Sequence, residues 1–126
     1  PMGLDEAVEV CADILERMEQ AGIPVIRLGL HASETLEADM VAGAYHPAFR
    51  ELCESRIIRR KIDRQLMAFS AGSSLLLQVS PGDVSRTVGQ KRSNITHWQQ
   101  MGYQVKVRAA DVQPGSLLLT EDLTED

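Results

Sequence analysis

The sequence predicts a fold of the α/β (α+β) class, and three stretches of the chain support this prediction. Residues 4–21 repeat apolar side chains with a helical period. Residues 23–30, IPVIRLGL, carry apolar side chains on both faces, as a buried parallel strand does. Residues 75–108 have the pattern of a strand, a short helix, a loop, a second helix and a strand. We therefore predict one helix–strand unit of an α/β barrel or sheet, with its connector, at residues 1–45, and a small α+β domain at residues 46–126.

The first helix is predicted to span residues 4–21, where apolar side chains recur at positions 4, 7, 8, 11, 14, 15 and 18. Asp5 and Glu6 lie in its first turn, where they complement the positive end of the helix dipole. Gly22 suits the left-handed conformation that ends many helices. Pro24 prevents the helix from continuing.

A second, longer helix is predicted to begin at His46-Pro47 and to run to about Phe69, because proline is tolerated at the first helical position. A short helix at Leu36–Val41 is expected before it. The long helix has an apolar stripe and an opposite basic face. The stripe consists of Phe49, Leu52, Cys53, Ile57, Ile58, Ile62 and Leu66. The basic face consists of Arg56, Arg59, Arg60, Lys61 and Arg64.

The first half of the C-terminal pattern begins with a strand at residues 75–80. Pro81-Gly82 predicts a turn after this strand. Asp83 is then expected to cap a short helix at residues 84–88, since aspartate side chains accept hydrogen bonds from the first helical N–H groups.

The second half begins with a helix at residues 93–101, which we expect to bury Ile95, Trp98 and Met101. A strand at residues 103–109 follows, with Tyr103, Val105 and Val107 facing inward and Gln104, Lys106 and Arg108 facing outward. A last strand at residues 116–120 precedes an acidic tail that we expect to be frayed.

The net charge of −5 conceals a strong segregation of charge along the chain. Residues 1–54 hold 3 basic and 11 acidic side chains, residues 55–110 hold 10 basic and 2 acidic ones, and residues 111–126 hold 5 acidic and no basic ones. A basic block between acidic ends is typical of a face that binds a polyanion. It is equally compatible with solvated helix faces that pair with each other.

Several classes of function have no support in the sequence. No apolar run reaches the length that a membrane crossing needs, and no signal peptide is recognisable, so we expect no membrane partner. Cys11 and Cys53 fall on apolar helical stripes and are interpreted as buried thiols of a cytoplasmic protein. The three histidines lack metal-ligand spacing, so no metal site is expected. No catalytic residue is predicted, because no G-x-S-x-G elbow or other catalytic constellation is present.

The loop Gly89-Gln90-Lys91-Arg92, called the basic loop below, is the main candidate site. It lies between the two short predicted helices and leads into Ser93-Asn94, so backbone N–H groups, a lysine and an arginine would face an incoming phosphodiester backbone. We predict that RNA or another anion binds at residues of this loop and its neighbours. These residues are Arg86, Gly89, Gln90, Lys91, Arg92, Asn94, Lys106 and Arg108.

The N-terminal part of the chain resembles a known family. With the preceding helix, residues 23–56 are similar to the C-terminal part of bacterial radical S-adenosylmethionine (SAM) proteins related to the elongator catalytic subunit, mainly in the phrases RLGLH, VAGAYHPAF and ESR. This resemblance implies that residues 1–30 are the last helix and strand of a partial α/β barrel. It also implies that a longer parent chain carries a three-cysteine iron–sulfur cluster and SAM, whereas this piece holds no cofactor.

Two residues of the predicted strand lie where a barrel enzyme places active-site groups. Arg27 is on that strand and His31 ends it. In the intact parent enzyme they could touch cofactor or substrate. The alternative is a histidine at the barrel rim and an arginine in an ion pair, and the sequence leaves both open.

Residues 75–108 resemble the core of K-homology (KH) domains, which has the order strand, helix, G-x-x-G loop, helix, strand. Val88–Ile95, VGQKRSNI, stands where the KH signature stands. Arg92 occupies the fourth loop position instead of glycine, which would restrict positive φ and close backbone approach. Attraction of phosphate by Lys91 and Arg92 would survive this change.

Two functions follow as expectations. The first is a non-catalytic C-terminal region of a radical SAM enzyme that binds an RNA substrate, with tRNA as the candidate, through the basic loop. The alternative is a structural domain that caps the barrel core or mediates homodimerisation through an exposed stripe of Leu4, Val8, Cys11 and Leu15. In that alternative the basic block pairs with the acidic N-terminal helix. Since the chain starts at Pro1 directly before a helix, we expect it to be a piece of a longer protein.

Overall fold

The computed structural model describes residues 3–22 and 46–123, and within them it has an α+β architecture. The helices are α1 (Leu4–Ala21), α2 (Pro47–Leu66), α3 (Val84–Val88) and α4 (Ser93–Gln100), and the strands are β1 (Ser74–Val79), β2 (Gln104–Ala109) and β3 (Leu118–Glu121). The mixed fold class is therefore confirmed. The predicted strand at 23–30 and the short helix Leu36–Val41 lie outside the described residues.

The chain divides into two compact units, residues 1–57 and residues 58–126, and the division falls within α2. The predicted domains, 1–45 and 46–126, stay a prediction. Among the described residues, no helix combines the length and the apolar character that a membrane crossing requires.

Helix α1 has the bounds that its sequence predicts, and Gly22 ends it with a φ of 70° and a hydrogen bond from its N–H to the Glu19 carbonyl. Its apolar face is buried in the first unit, where Cys11, Ala12 and Leu15 share a cluster with Cys53 and Ile57 of α2. The exposed stripe expected for the structural alternative is therefore wrong for Val8, Cys11 and Leu15, since all three are buried. Only its first member, Leu4, is exposed, at 64%.

Arg56 of α2 joins the two helices of the first unit electrostatically. Its guanidinium donates to Asp5 at 2.7 Å and also to Glu9, both in α1. Its side chain is 13% exposed, so the predicted basic face of the long helix is partly covered here. The acidic first turns of α1 thus supply partners for a cation of another helix.

The second unit is built on a three-stranded sheet with the order β2-β1-β3. β1 and β2 are parallel, with Leu75 opposite Val105. β3 runs antiparallel to β1, with Leu77 opposite Leu119. Because a parallel pair needs a crossover connection, α3, the basic loop and α4 carry the chain from β1 back to the start of β2.

One apolar core holds this unit together. Trp98 of α4 and Leu75, Leu77 and Val79 of β1 are fully buried, and Ile62 of α2 lies in the same cluster. Leu75, Leu77 and Val79 alternate with less buried positions, which is the period expected of a strand with one face on a core. Trp98 also donates from Nε1 to Asp63 of α2 at 3.0 Å, so its polar atom is satisfied.

Three local predictions require correction. Helix α2 ends at Leu66, because the next N–H groups bond three residues back: Ala68 to Gln65 and Phe69 to Leu66. Met101 is 41% exposed, since it follows the last residue of α4 and lies outside its buried face.

Asp83 is the third correction. It precedes α3, but its side chain makes no capping hydrogen bond. Its carboxylate instead accepts from the Ser80 hydroxyl at 2.9 Å and from the Gly115 N–H at 2.7 Å. The buried carboxylate thereby fixes the loop that leads into β3.

Candidate nucleic-acid interface

The backbone of the basic loop is strained. Gln90–Arg92 form a 3-10 turn in which Lys91 has φ 53° and Arg92 has φ 60°. These are the only non-glycine residues with positive φ in the described part of the chain. Arg92 thus adopts the conformation that its side chain was expected to restrict. Left-handed backbone at a residue with a Cβ costs about 1–2 kcal/mol, so the surrounding structure must impose it.

The two cations of the loop point to solvent. Both Lys91 and Arg92 are exposed. Within residues 3–22 and 46–123, no carboxylate forms an ion pair with either of them. Their charge is therefore available to a phosphate or another anion.

A groove of about 300 Å³ lies beside the loop, and we call it the β2 groove. Its lining combines four apolar side chains with three cationic ones. The apolar side chains are Val88, Ile95, Val105 and Val107, and the cationic ones are Arg92, Lys106 and Arg108. This combination suits an anionic ligand that also has apolar surface to bury.

β2 is an edge strand of the described sheet. One side of its backbone pairs with β1, and the other side faces the β2 groove. The Gln104 N–H bonds to Ser73 and the Ala110 N–H bonds to Val79, both on the β1 side. Because polar groups of a strand alternate in direction, the N–H and C=O groups of Val105 and Val107 point away from β1. A ligand in the β2 groove would meet backbone donors and acceptors.

The remaining predicted cations differ in their surroundings. Arg86 lies 3.5 Å from the Asp83 carboxylate, and Lys106 lies 3.3 Å from Asp122. Arg108 is exposed, and no carboxylate within the described ranges pairs with it. Arg92 and Arg108 are therefore the groove cations that have no carboxylate partner in the described ranges, and Lys91 is such a cation in the basic loop.

Asn94 has a different place from the one its position in the sequence suggested. Its side chain is buried, with 1% exposed. Oδ1 accepts from Nε of Arg59 at 2.8 Å, and Nδ2 donates to the Thr87 carbonyl at 3.1 Å. Asn94 thus ties the end of α3 and the start of α4 to α2. It holds the two sides of the basic loop and presents no exposed group to a ligand.

Two further contacts hold α3 and α4 in place. The Thr87 hydroxyl donates to the Asp83 carbonyl at 2.7 Å. His97 Nε2 of α4 lies 2.9 Å from Asp63 Oδ2 of α2. Sequence reasoning missed Arg59 and Asp63 as supports, because both lie about 35 positions from their partners along the chain and no local pattern links them.

The carboxylate that fixes the β3 loop has a perturbed ionisation. The Gly115 N–H, followed by the Ser80 hydroxyl and the Arg86 guanidinium, holds the pKa of Asp83 below its usual value, although burial opposes this shift. A charged Asp83 is therefore the form that the fold favours.

The other predicted site residues, Arg27 and His31, lie outside the described residues. In the described ranges no group of three histidine, cysteine or acidic side chains could hold a metal ion. Gly89 and Gln90 lie in the basic loop as predicted, with Gly89 at φ 84°.

Comparison with known proteins gives one match. The family model of the radical SAM C-terminal domain matches residues 1–59, and this match supports a radical SAM C-terminal region in that part of the chain. No curated protein and no solved structure matches the chain.

Proposed function

We propose that this chain is a non-catalytic C-terminal region of a radical SAM enzyme, and that its second unit binds single-stranded RNA. The observation that carries the RNA proposal is the combination of two exposed loop cations, which have no carboxylate partner within residues 3–22 and 46–123, with an adjoining groove of mixed apolar and cationic lining. The family match at residues 1–59 supports the enzyme context. A relation to the elongator catalytic subunit, with tRNA as the RNA, is part of this proposal.

The proposed binding mode follows from the shape of the site. Lys91, Arg92 and Arg108 attract the phosphates, and the apolar floor of the β2 groove accepts unstacked bases. The outward N–H and C=O groups of Val105 and Val107 offer hydrogen bonds to base edges. The order of strand, helix, loop, helix and strand, with β1 and β2 parallel, supports a KH-like core for this unit.

The implied iron–sulfur cluster does not fit the residues of this chain. Cys11 and Cys53 are its two cysteines; they are buried free thiols that hydrogen-bond to each other, and the sequence has no C-x-x-x-C-x-x-C motif. We therefore assign the cluster and SAM to a radical SAM core that would be the partner of this region. No step of the reaction is assigned to residues described here.

Fluorescence anisotropy with a labelled single-stranded RNA of about ten nucleotides tests the proposal. Affinity is measured from low to moderate salt for the unchanged chain and for Lys91→Ala/Arg92→Ala. Loss of two phosphate contacts should lower the slope of log K against log salt by about 1.4, since each contact contributes about 0.7 for a single strand.

A matched control separates local contact from bulk charge. Lys61→Ala/Arg64→Ala also removes two positive charges, but from α2 and outside the lining of the β2 groove. We expect this control to keep most of the salt slope. Absence of binding at low salt, or equal effects of the two double variants, would refute RNA binding at the basic loop. Parallel titrations with a duplex and with a tRNA transcript distinguish the RNA classes.

A structural role has one specific observation in its favour. Arg56, from the basic block, pairs with Asp5 and Glu9 of the acidic α1, as that alternative expects. The pairing accounts for one cation of the first unit and leaves Lys91 and Arg92 unexplained. Light scattering on the full chain at high concentration tests homodimerisation. A monomeric chain would exclude the dimeric version of the structural role.

A further inference from the structure

Cys11 and Cys53 are neighbours in space although 41 residues separate them along the chain. Cys11 lies in α1 and is 1% exposed, and Cys53 lies in α2 and is 0% exposed. Both belong to the apolar cluster of the first unit, and their thiols hydrogen-bond to each other. The sequence patterns placed each thiol on a buried helical stripe, as the structure has it, but did not predict that the two thiols meet.

The two thiols differ in acidity, which gives them different chemical roles. The hydrogen bond from Cys53, aided by the Arg50 guanidinium and opposed by burial, lowers the pKa of Cys11. The same hydrogen bond, together with burial, raises the pKa of Cys53. Since the thiolate is the reactive form of cysteine, the thiol with the lowered pKa is the one that we expect to meet an oxidant first.

We propose that the Cys11–Cys53 pair is an oxidation site that forms an intramolecular disulfide between α1 and α2 on exposure to a peroxide. Both sulfurs lie in one buried cluster and hydrogen-bond to each other, so they start close together, as a disulfide requires. The sequence contains no third cysteine, so any disulfide within one chain is this one.

The reaction balances with hydrogen peroxide as the oxidant. The Cys11 thiolate attacks one peroxide oxygen, the O–O bond breaks, and the departing hydroxide takes up a proton to become water. Cys11 is then a sulfenic acid. The Cys53 sulfur attacks the Cys11 sulfur, the S–O bond breaks, and the hydroxyl leaves with the Cys53 proton as a second water. Two thiols lose two electrons in total, and the peroxide gains them.

Burial sets the rate of this reaction. With both sulfurs covered, peroxide reaches them through local opening of the α1–α2 cluster. Once Cys11 is oxidised, the adjacent Cys53 resolves the sulfenic acid before a second peroxide arrives. The disulfide should therefore form without over-oxidation.

The test uses the full chain, reduced and then freed of reductant. It is treated with graded hydrogen peroxide under native conditions, alkylated with N-ethylmaleimide and analysed by intact mass spectrometry. Circular dichroism before and after treatment verifies that the protein stays folded. The unchanged chain should lose both alkylation sites together, stay monomeric and become lighter by about 2 Da, the mass of two thiol hydrogens. Dithiothreitol should restore both sites.

Two variants assign the order of events. In Cys53→Ser, a sulfenic acid should accumulate at Cys11 and react with dimedone. In Cys11→Ser, no disulfide within the chain should form, and any oxidation should stay on Cys53. Dimedone trapping on the unchanged chain during peroxide treatment assigns the order, and an adduct on Cys53 instead of Cys11 would overturn the assigned roles.

The unchanged chain alone decides the central point, even if a variant fails to fold. Gains of oxygen mass on separate cysteines, intermolecular dimers, or a disulfide that forms only in urea would each overturn the proposal. Folded protein that keeps both thiols at peroxide levels that oxidise the urea-unfolded chain would do the same.

Discussion

The two units of this chain use their basic side chains in opposite ways. In the first unit, Arg56 is nearly covered and bonds to two carboxylates of α1. In the second unit, Lys91 and Arg92 are exposed on a strained backbone, and no carboxylate of the described residues pairs with them. A basic block in a sequence is therefore not one feature, because the fold decides which cations are neutralised and which remain available to a ligand.

The cations of α2 also differ in which unit of the chain they support. Arg59 is also on α2, but its guanidinium donates to buried Asn94 and helps to hold the basic loop. Neighbouring cations of one helix face thus serve the packing of the first unit and the loop of the second. The changes below test this division, from the largest expected effect to the smallest.

Replacement of Trp98, the central residue of the second unit's core, should abolish the RNA-binding surface of that unit. Trp98→Ala empties a fully buried site and deletes the hydrogen bond to Asp63, at an expected cost of about 3–5 kcal/mol in the free energy of unfolding. Urea unfolding followed by circular dichroism measures the loss. If RNA binding persists unchanged in a variant whose sheet has melted, the β2 groove is not the binding surface.

Removal of the buried carboxylate should change the pH dependence of stability. Asp83→Asn loses charge-assisted hydrogen bonds to Ser80 and Gly115, at a cost of about 1–3 kcal/mol near neutral pH. Because the pKa of Asp83 is lowered in the fold, its contribution is present above the unfolded pKa of about 3.9 and is lost as pH falls through the lower folded value.

The free energy of unfolding of the unchanged chain should therefore fall more steeply than that of Asp83→Asn between about pH 5 and pH 2. Urea midpoints at several pH values measure both curves. Parallel curves would show that Asp83 is not a stabilising carboxylate of this fold.

Relief of the loop strain should stabilise the protein while weakening its ligand binding. Arg92→Gly removes the Cβ from a left-handed position, and we expect the free energy of unfolding to rise by about 1 kcal/mol. Affinity for RNA should fall, because a groove cation is lost. The control Arg64→Gly, in the last turn of α2, should instead destabilise by up to about 1 kcal/mol. Destabilisation by Arg92→Gly would show that the loop is not strained.

The smallest effect is expected at the paired cation. Arg56→Met keeps the apolar stem and removes the charge, at a cost of about 0.5 kcal/mol, because Asp5 and Glu9 are 83% and 45% exposed and solvent screens the pair. A double-mutant cycle with Glu9→Gln measures the coupling. RNA affinity should stay unchanged in Arg56→Met, and a loss comparable with that of the loop variants would break the comparison.

The sequence predicted the fold best where a local pattern has one solution. The helical period with Gly22 placed α1, and Pro47 placed the start of α2. The order from β1 to β2 followed from apolar spacing and turn residues. The antiparallel pairing of β3 on β1 did not follow, since strand partners depend on contacts far apart in the chain.

The candidate site was predictable only in part. Lys91 and Arg92 could be selected from the loop pattern, but only the fold shows that no carboxylate of the described residues pairs with them. Ile95, Val105 and Val107 were expected to face inward, and their second role as groove lining could not be separated from core packing by period alone. The burial of Asn94 could not be predicted either, because a polar residue beside a loop is usually exposed.

The most direct test of the account is a nuclear magnetic resonance titration of the isotope-labelled chain with a short single-stranded RNA at low salt. We predict that amide shifts change in the basic loop and along β2, at Gly89–Ser93 and Val105–Arg108, and stay unchanged in α1. Changes centred on α1 and Arg56, or no changes at all, would contradict the division between paired and available cations.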